Sequence, residues 1–261
     1  MEPALSTVSM VAVPRGVMRL AGRAVGEFDM IRPGDRVLVG LSGGKDSLSL
    51  LHVLRAMARR NKVPFRLGAA TVDPCIEGFD PGFLNDYVPR FDIPYYYERQ
   101  DIVARAQQTM GNDSFCAYCS RMRRGALYAV ARREGYNVLA LGHHLDDVAE
   151  TFLMNAFFGG RVAAMRAHYC TDAGDLRVIR PLAYVRERQL RDFALSASLP
   201  AIMDNCPACF RMPSQRAQMK ALLAAQESHN HRLFGSLLSA LTPLMGQAPV
   251  ETPLTHDTGV K

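Results

Sequence analysis

Short apolar runs alternate with helix-period stretches along most of this chain, and that alternation constrains the fold more than any other feature of it. Strand signals at Arg36 to Leu41, Phe65 to Val72, Tyr95 to Glu98 and Val138 to Leu141 are separated by helical patterns. Helices are expected over Ser47 to Arg60, near Gly82 to Pro89, around Ile102 to Met110, over Ser120 to Glu134, and after the fourth strand as far as Phe158. Repeated βαβ units of this kind predict an α/β fold built on a doubly wound parallel sheet. Val178-Ile179 and a helix near Arg186 to Ser198 extend the pattern, giving an α/β domain over 31–200.

The flanks read differently. An arm over 1–14 leads into an amphipathic helix from Arg15 to Met30, so that 1–30 forms an N-terminal element. Met18, Ala21, Val25 and Phe28 recur at helical spacing, while Arg15, Arg19, Arg23 and Glu27 fall four apart on another face. After Pro200 comes a cysteine-bearing loop, then a small helical extension with helices over Ser214 to Glu227 and His231 to Leu244, together spanning 201–245. The Pro- and Thr-containing stretch 246–261 is expected to be a mobile tail.

A chain of 261 residues that is 48% hydrophobic and 21% charged can bury a sizeable core, which excludes disordered, collagen-like and coiled-coil classes. No apolar run approaches the roughly 18 residues of a membrane span, and Glu2 and Pro3 stand where a secretory leader would be basic. No membrane partner and a cytoplasmic address are therefore expected. The net charge of +6 is concentrated in stretches such as Arg121, Arg123, Arg124, Arg132 and Arg133, which suggests a polyanionic partner.

Between the first strand and its helix lies Ser42-Gly43-Gly44-Lys45-Asp46-Ser47. Two glycines let a ligand approach the backbone, the helix start offers N–H groups, and Lys45 adds charge, so the stretch reads as an anion cradle. A Walker A loop is excluded because Val39 and Asp46 stand where it needs glycine and Ser or Thr. A carboxylate beside phosphates is repulsive unless a cation lies between them, so Asp46 points to a Mg²⁺–nucleotide site. An ordinary glycine-rich turn is the plainer alternative.

A second string, Gly142 to Thr151, follows the fourth strand and puts Asp147, Glu150 and Thr151 on one helical face, behind His143 and His144. Metal binding and simple helix capping both remain open for its His and Asp residues. Cysteines form two CxxC pairs, Cys116 with Cys119 and Cys206 with Cys209, while Cys75 and Cys170 stand apart and read as structural. Thioredoxin-type redox and a zinc ribbon fit poorly. Cys119 is expected to open a helix beside Arg121, Arg123 and Arg124, an environment that favours thiolate.

Residues 42–47, read as SGGKDS, resemble the pyrophosphatase-type P-loop (PP-loop) of enzymes that split ATP into AMP and pyrophosphate while adenylating a substrate oxygen. Gly142 to Thr151 resembles the second signature of their tRNA-modifying branch. Cys116 to Gly125, Ile179 to Tyr184 with Arg186-Glu187, and Phe28 to Ile31 with Gly34-Asp35-Arg36 are similar to the tRNA 2-thiocytidine synthetase (TtcA) family. The resemblance implies the PP-loop ATP pyrophosphatase fold and a sulfurtransferase acting on cytidine at tRNA position 32. It implies ATP, Mg²⁺ and a [4Fe-4S] cluster, the cluster on Cys116, Cys119 and Cys209. Nucleotide contacts fall to Ser42, Gly43, Gly44, Lys45, Asp46, Ser47, Gly142 and His143, and catalysis to Lys45, Asp46 and Asp147. Implied partners are tRNA and a cysteine desulfurase or other sulfur donor system, with a homodimer left open.

Departures from the family pattern lie around the downstream pair, where Asp204-Asn205 precede and Phe210-Arg211 follow, so Cys206 stays open as the third or a fourth ligand. Rival readings are thiolation of another tRNA nucleoside, a cluster-free amination, and a non-catalytic nucleotide or redox sensor.

Overall fold

β1 (Arg36–Leu41) is the hub of a six-stranded sheet ordered β3-β2-β1-β4-β6-β5. It pairs in parallel with β2 (Arg66–Asp73) on one side and β4 (Val138–Ala140) on the other. β3 (Tyr95–Arg99) and β6 (Arg177–Ile179) extend the parallel pairing outwards, and β5 (His168–Cys170) closes one edge antiparallel to β6. The computed structural model describes residues 11–76, 78–102, 105–106, 115–202 and 215–246, with the backbone alone for 115–117.

Strand alternation sorts the side chains between two cores. Val37, Val39 and Leu41 enter one buried cluster and Leu38 the other; Val138 and Ala140 are divided from Leu139, and Ile179 from Val178, in the same way. The larger cluster is covered by α1 (Arg15–Glu27), α2 (Lys45–Arg60) and the single turn α3 (Leu84–Tyr87). Across the sheet, α4 (Phe115–Arg133) covers the smaller cluster with Val130 and Ala131. Back on the first face lie α5 (Leu145–Gly159), α6 (Glu187–Ser196), α7 (Gln215–His229) and α8 (Leu233–Met245), whose Phe234, Leu241 and Met245 join the main core. Among the described residues no helix is long and apolar enough to cross a membrane.

The doubly wound sheet matches the expectation, and several boundaries move for local reasons. The helix expected to Pro89 stops at Tyr87 and gives way to a 3₁₀ turn over Pro89–Phe91, because proline has no N–H to continue the ladder. α4 begins at Phe115, just after a serine, a residue type favoured at helix starts. Cys119 therefore lies in the second turn and does not open the helix, which corrects the sequence expectation. β5, three residues long at a sheet edge, carries too little periodicity to be read. The helix expected around Ile102 to Met110 falls largely outside the described residues, as do most of the arm 1–14 and the tail.

One carboxylate fastens the amino ends of three strands. Asp35 is buried just before β1; its Oδ2 accepts the Arg32 amide at 2.7 Å and its Oδ1 accepts Asn137 Nδ2 at 2.9 Å. The Arg177 guanidinium of β6 also donates to Oδ1. Asn137 in turn accepts the Arg36 amide at 2.8 Å. Burial alone would raise the Asp35 pKa, but these donors hold it below the ordinary 3.8.

Asp35→Ala strands the Arg177 charge, and urea unfolding at neutral pH should show a loss of about 3 kcal/mol. A lowered pKa stabilises above the unfolded value, so the gap between parent and variant should narrow as the pH falls below 3.8.

Candidate active site

β1 ends at Leu41 and α2 starts at Lys45, so Ser42-Gly43-Gly44 form the whole connection. Gly43 sits at φ +84, and a Cβ on it would lie 2.6 Å from Ile202 Cδ1, so this position needs glycine for both conformation and space. Hydroxyls shape the turn: the Ser42 amide donates to Ser47 Oγ at 3.2 Å, the Gly44 amide to Ser42 Oγ at 3.3 Å, and Ser47 Oγ to the Gly44 carbonyl at 2.9 Å. Gly44 brings no side chain to cap α2, and a helix start of this kind suits an anionic ligand.

Lys45 turns its Nζ to Asp46 Oδ2 at 3.1 Å and to Glu187 Oε1 at 3.1 Å. Burial would lower the lysine pKa, but these two carboxylates raise it, so the group stays an ammonium. Glu187 also meets Lys220 Nζ at 2.6 Å; burial opposes ionisation, yet the two lysines hold its pKa down at about 2. Asp46 behaves oppositely. Burial raises its pKa despite His144 and Lys45, and among the described residues its buried Oδ1 has no hydrogen-bond partner. A buried carboxylate oxygen short of a partner, beside an anion cradle, fits a hard cation such as Mg²⁺.

The loop after β4 presses against this turn. A Cβ on Gly142 would stand 3.2 Å from the Asp46 carbonyl carbon and 3.2 Å from the Ser47 amide nitrogen, a crowding against backbone that glycine avoids. His144 caps α5: its amide donates to Asp147 Oδ2 at 3.0 Å and its Nδ1 accepts the Asp147 amide at 3.3 Å. Capping, left open by the sequence, is thus one role of this pair. The two adjacent aspartates diverge. Asp146 accepts Arg186 Nε at 3.1 Å and the Glu187 amide at 2.7 Å, which ties α5 to α6. Asp147 faces the cleft and accepts Arg216 Nη1 at 3.2 Å. Burial raises the Asp147 pKa, but His144 and His143, with the His144 amide and Arg216, bring it below the ordinary value.

Glu150 shares the Asp147 face as expected, with Arg216 Nη1 3.4 Å from its Oε2. Burial and the neighbouring Asp147 push its pKa up to about 7. The third member of that face, Thr151, has a buried hydroxyl without a partner among the described residues. His143 receives Arg180 Nε on its Nδ1 at 3.2 Å, and burial followed by the Arg180 charge drives its pKa down to about 3.

The glycine turn and the loop after β4 open on one cleft of about 400 Å³. Ser42, Asp46 and Ser47 line one side, and Gly142, His143 and Asp147 another. α4 supplies a third wall through Cys119, Arg123 and Arg124. The cleft thus joins the glycine turn, the second signature and a cysteine, residues remote from one another in sequence. Lys45 does not line it. Cys116 lies one helical turn before Cys119 on α4, in the part described by backbone alone. Cys206 and Cys209 lie outside the described residues, but the chain on either side reaches the site: the Ile202 amide donates to the Gly43 carbonyl at 2.9 Å, and Arg216 meets Asp147. Among the described residues no group of three or more His, Cys, Asp or Glu is set to hold a metal. What the described part contributes toward a cluster is a soft thiol on the cleft wall, beside two arginines.

Sequence reading missed Arg216, Lys220 and the role of Glu187, which come from distant helices and carry no local motif. Arg180 was visible as part of Ile179 to Tyr184, but its partner was not.

The PP-loop domain family matches residues 19–222. The chain is 41% identical over 227 residues to a tRNA-cytidine(32) 2-sulfurtransferase of Geobacter sulfurreducens, covering 86% of this chain and 88% of that one. It is 40% identical over 228 residues to the tRNA-cytidine(32) 2-sulfurtransferase of Syntrophotalea carbinolica, covering 87% and 88%. Among solved structures, the U34-tRNA thiolase NcsA of Methanococcus maripaludis with its [4Fe-4S] cluster is similar in fold, with a TM-score of 0.68, 24% identity, and coverage of 91% of this chain and 81% of that one. The chain belongs to the PP-loop domain family and, within it, to the family of the tRNA-cytidine(32) 2-sulfurtransferases.

Proposed function

We propose that this chain is an ATP-dependent tRNA sulfurtransferase that adenylates a base oxygen of tRNA and replaces it with sulfur, its substrate base being cytidine 32. The observation that carries this reading is the shared cleft: Cys119 lines the same 400 Å³ cavity as Ser42, Asp46 and Ser47. The names of the relatives support the tRNA substrate, and that of the thiolase with its [4Fe-4S] cluster supports the sulfur chemistry.

In this reading the ATP phosphates rest on Ser42 to Ser47, where the N-terminus of α2 and Lys45 meet their charge. Asp46 would hold Mg²⁺ through its unpartnered Oδ1, and the bound ion supplies positive charge at the phosphates. Gly142 and His143 form the facing wall against the nucleotide. The base, flipped out of its loop, enters the cleft so that its oxygen attacks the α-phosphate and pyrophosphate departs. Asp147, kept ionised, accepts hydrogen bonds rather than donating them. Arg123 and Arg124, on the α4 wall, meet the negative charge of the RNA backbone. Cys116, Cys119 and Cys209, or Cys206 in its place, would hold the [4Fe-4S] cluster, which supplies an iron able to carry sulfide. A cysteine desulfurase system fits as the source of that sulfur.

Asp46→Ala should cut AMP formation with bulk tRNA by more than about a hundredfold, read by chromatography of labelled nucleotides, while iron content stays at the parental level. Cys119→Ala should lose the iron and its visible absorbance after anaerobic purification yet bind ATP as the parent does. If both variants still thiolate tRNA, the roles given to these residues are wrong. Mass spectrometry of tRNA nucleosides from cells with and without the gene should show 2-thiocytidine disappear; loss of a different thionucleoside would reassign the base.

A further inference from the structure

Arg180 stands behind the cleft wall, 5% exposed, in a setting that fixes both of its ends. Its Nη1 donates to the Arg166 carbonyl, and its guanidinium lies 5.4 Å from the centre of the Tyr169 ring. From there Nε reaches His143 Nδ1 at 3.2 Å. A guanidinium has five N–H donors and no acceptor, so the ring nitrogen it addresses must be the one without a proton. In a neutral imidazole the proton then sits on Nε2, on the side of the ring away from Arg180. Among the described residues no group pairs with that Nε2, and His143 lines the cleft.

We infer that Arg180 is a positioning residue that locks His143 in its Nε2–H form, so that His143 acts as a neutral hydrogen-bond donor to an oxygen of the bound substrate. This rests on the reading above for what the donor meets, but not for the tautomer. A doubly protonated ring would place Nδ1–H against Nε–H, and a ring protonated on Nδ1 would do the same, so neither a general acid of the imidazolium kind nor a base acting through Nε2 is compatible with the contact. The other charged groups around the ring are Asp147 from α5, Arg216 from α7 and Arg124 from α4. Burial first, and then three cations against one carboxylate, counting Arg180, keep the ring uncharged. The arrangement parallels metal-free donor sites in which a fixed N–H meets charge developing on oxygen. That oxygen belongs either to a phosphate of the nucleotide or to the carbonyl of the base.

Nitrogen-15 NMR of the full-length protein labelled at histidine tests the tautomer without any turnover. His143 should show an unprotonated Nδ1 and a protonated Nε2 throughout about pH 5 to 8, and a protonated Nδ1 or a titration in that window overturns the inference. Adding Mg²⁺ with a non-hydrolysable ATP analogue, or tRNA alone, should move the Nε2 proton resonance in one arm. The arm that responds identifies the oxygen, and no response in either overturns donation to substrate. Arg180→Gln should let the two tautomers mix; should that variant not fold, the parental spectrum still decides. In activity, His143→Gln carries an amide N–H near the Nε2 position and should keep at least a tenth of parental turnover. His143→Asn places its amide near Nδ1 and should lose about a hundredfold. Equal loss in both variants would mean proton transfer, not donation. A failure of tRNA thiolation with the tautomer intact would overturn the function and leave the assignment of Arg180 standing.

Discussion

Everything at the site depends on the parallel pairing of β1 with β4. Connections leave β1 toward one edge of the sheet and reach β4 on its other side, so the two loops that follow these strands part in opposite directions and open a crevice between them. The loops touch at its floor. Gly142 lies against the backbone of Asp46 and Ser47, and a single added carbon there would crowd that backbone at 3.2 Å. Far below, Asp35 fastens the amino ends of the same strands through Asn137 and Arg177, which keeps the register that brings the loops together.

Charge is distributed with the same economy of position. Two carboxylates line the cleft, Asp46 and Asp147, and two more, Glu150 and Glu187, are joined to them through Arg216 and Lys45; Asp147, Glu150 and Glu187 are each answered by a basic group of α7, Arg216 or Lys220. Asp46 is the exception: one oxygen meets Lys45 while the other is buried without a partner among the described residues, and burial keeps its pKa high. A site that compensates its other acids and leaves this oxygen bare fits the cation proposed for it.

How much of this was legible in the sequence depends on whether a role is local. The SGGKDS turn was readable because its geometry is made within six consecutive residues and needs nothing distant. Face sharing by Asp147 and Glu150 followed from helix periodicity and is seen in their common partner Arg216. Asp146 and Asp147, adjacent in sequence, differ because one residue along a helix turns a side chain by about 100 degrees, sending one carboxylate to Arg186 and the other to the cleft. Arg216 and Lys220 left no trace, since a single basic residue on a helix looks the same whether it solvates a surface or meets an acid more than thirty positions away; Arg180 showed within Ile179 to Tyr184, but not its partner His143. Cys119, singled out from its CxxC pair, lines the cleft, although the reason given for its environment shifted when α4 proved to begin a turn earlier.

Glu187 has a property that neither of its lysines shows alone. A carboxylate shared between two ammonium groups holds each less firmly than it would hold one, so whatever draws Lys45 away strengthens the grip on Lys220. Lys220 belongs to the helix that follows the segment carrying Cys206 and Cys209. The glycine turn and α7 are therefore on a balance beam pivoted at Glu187, and weight taken off at the turn settles α7 more tightly onto α6.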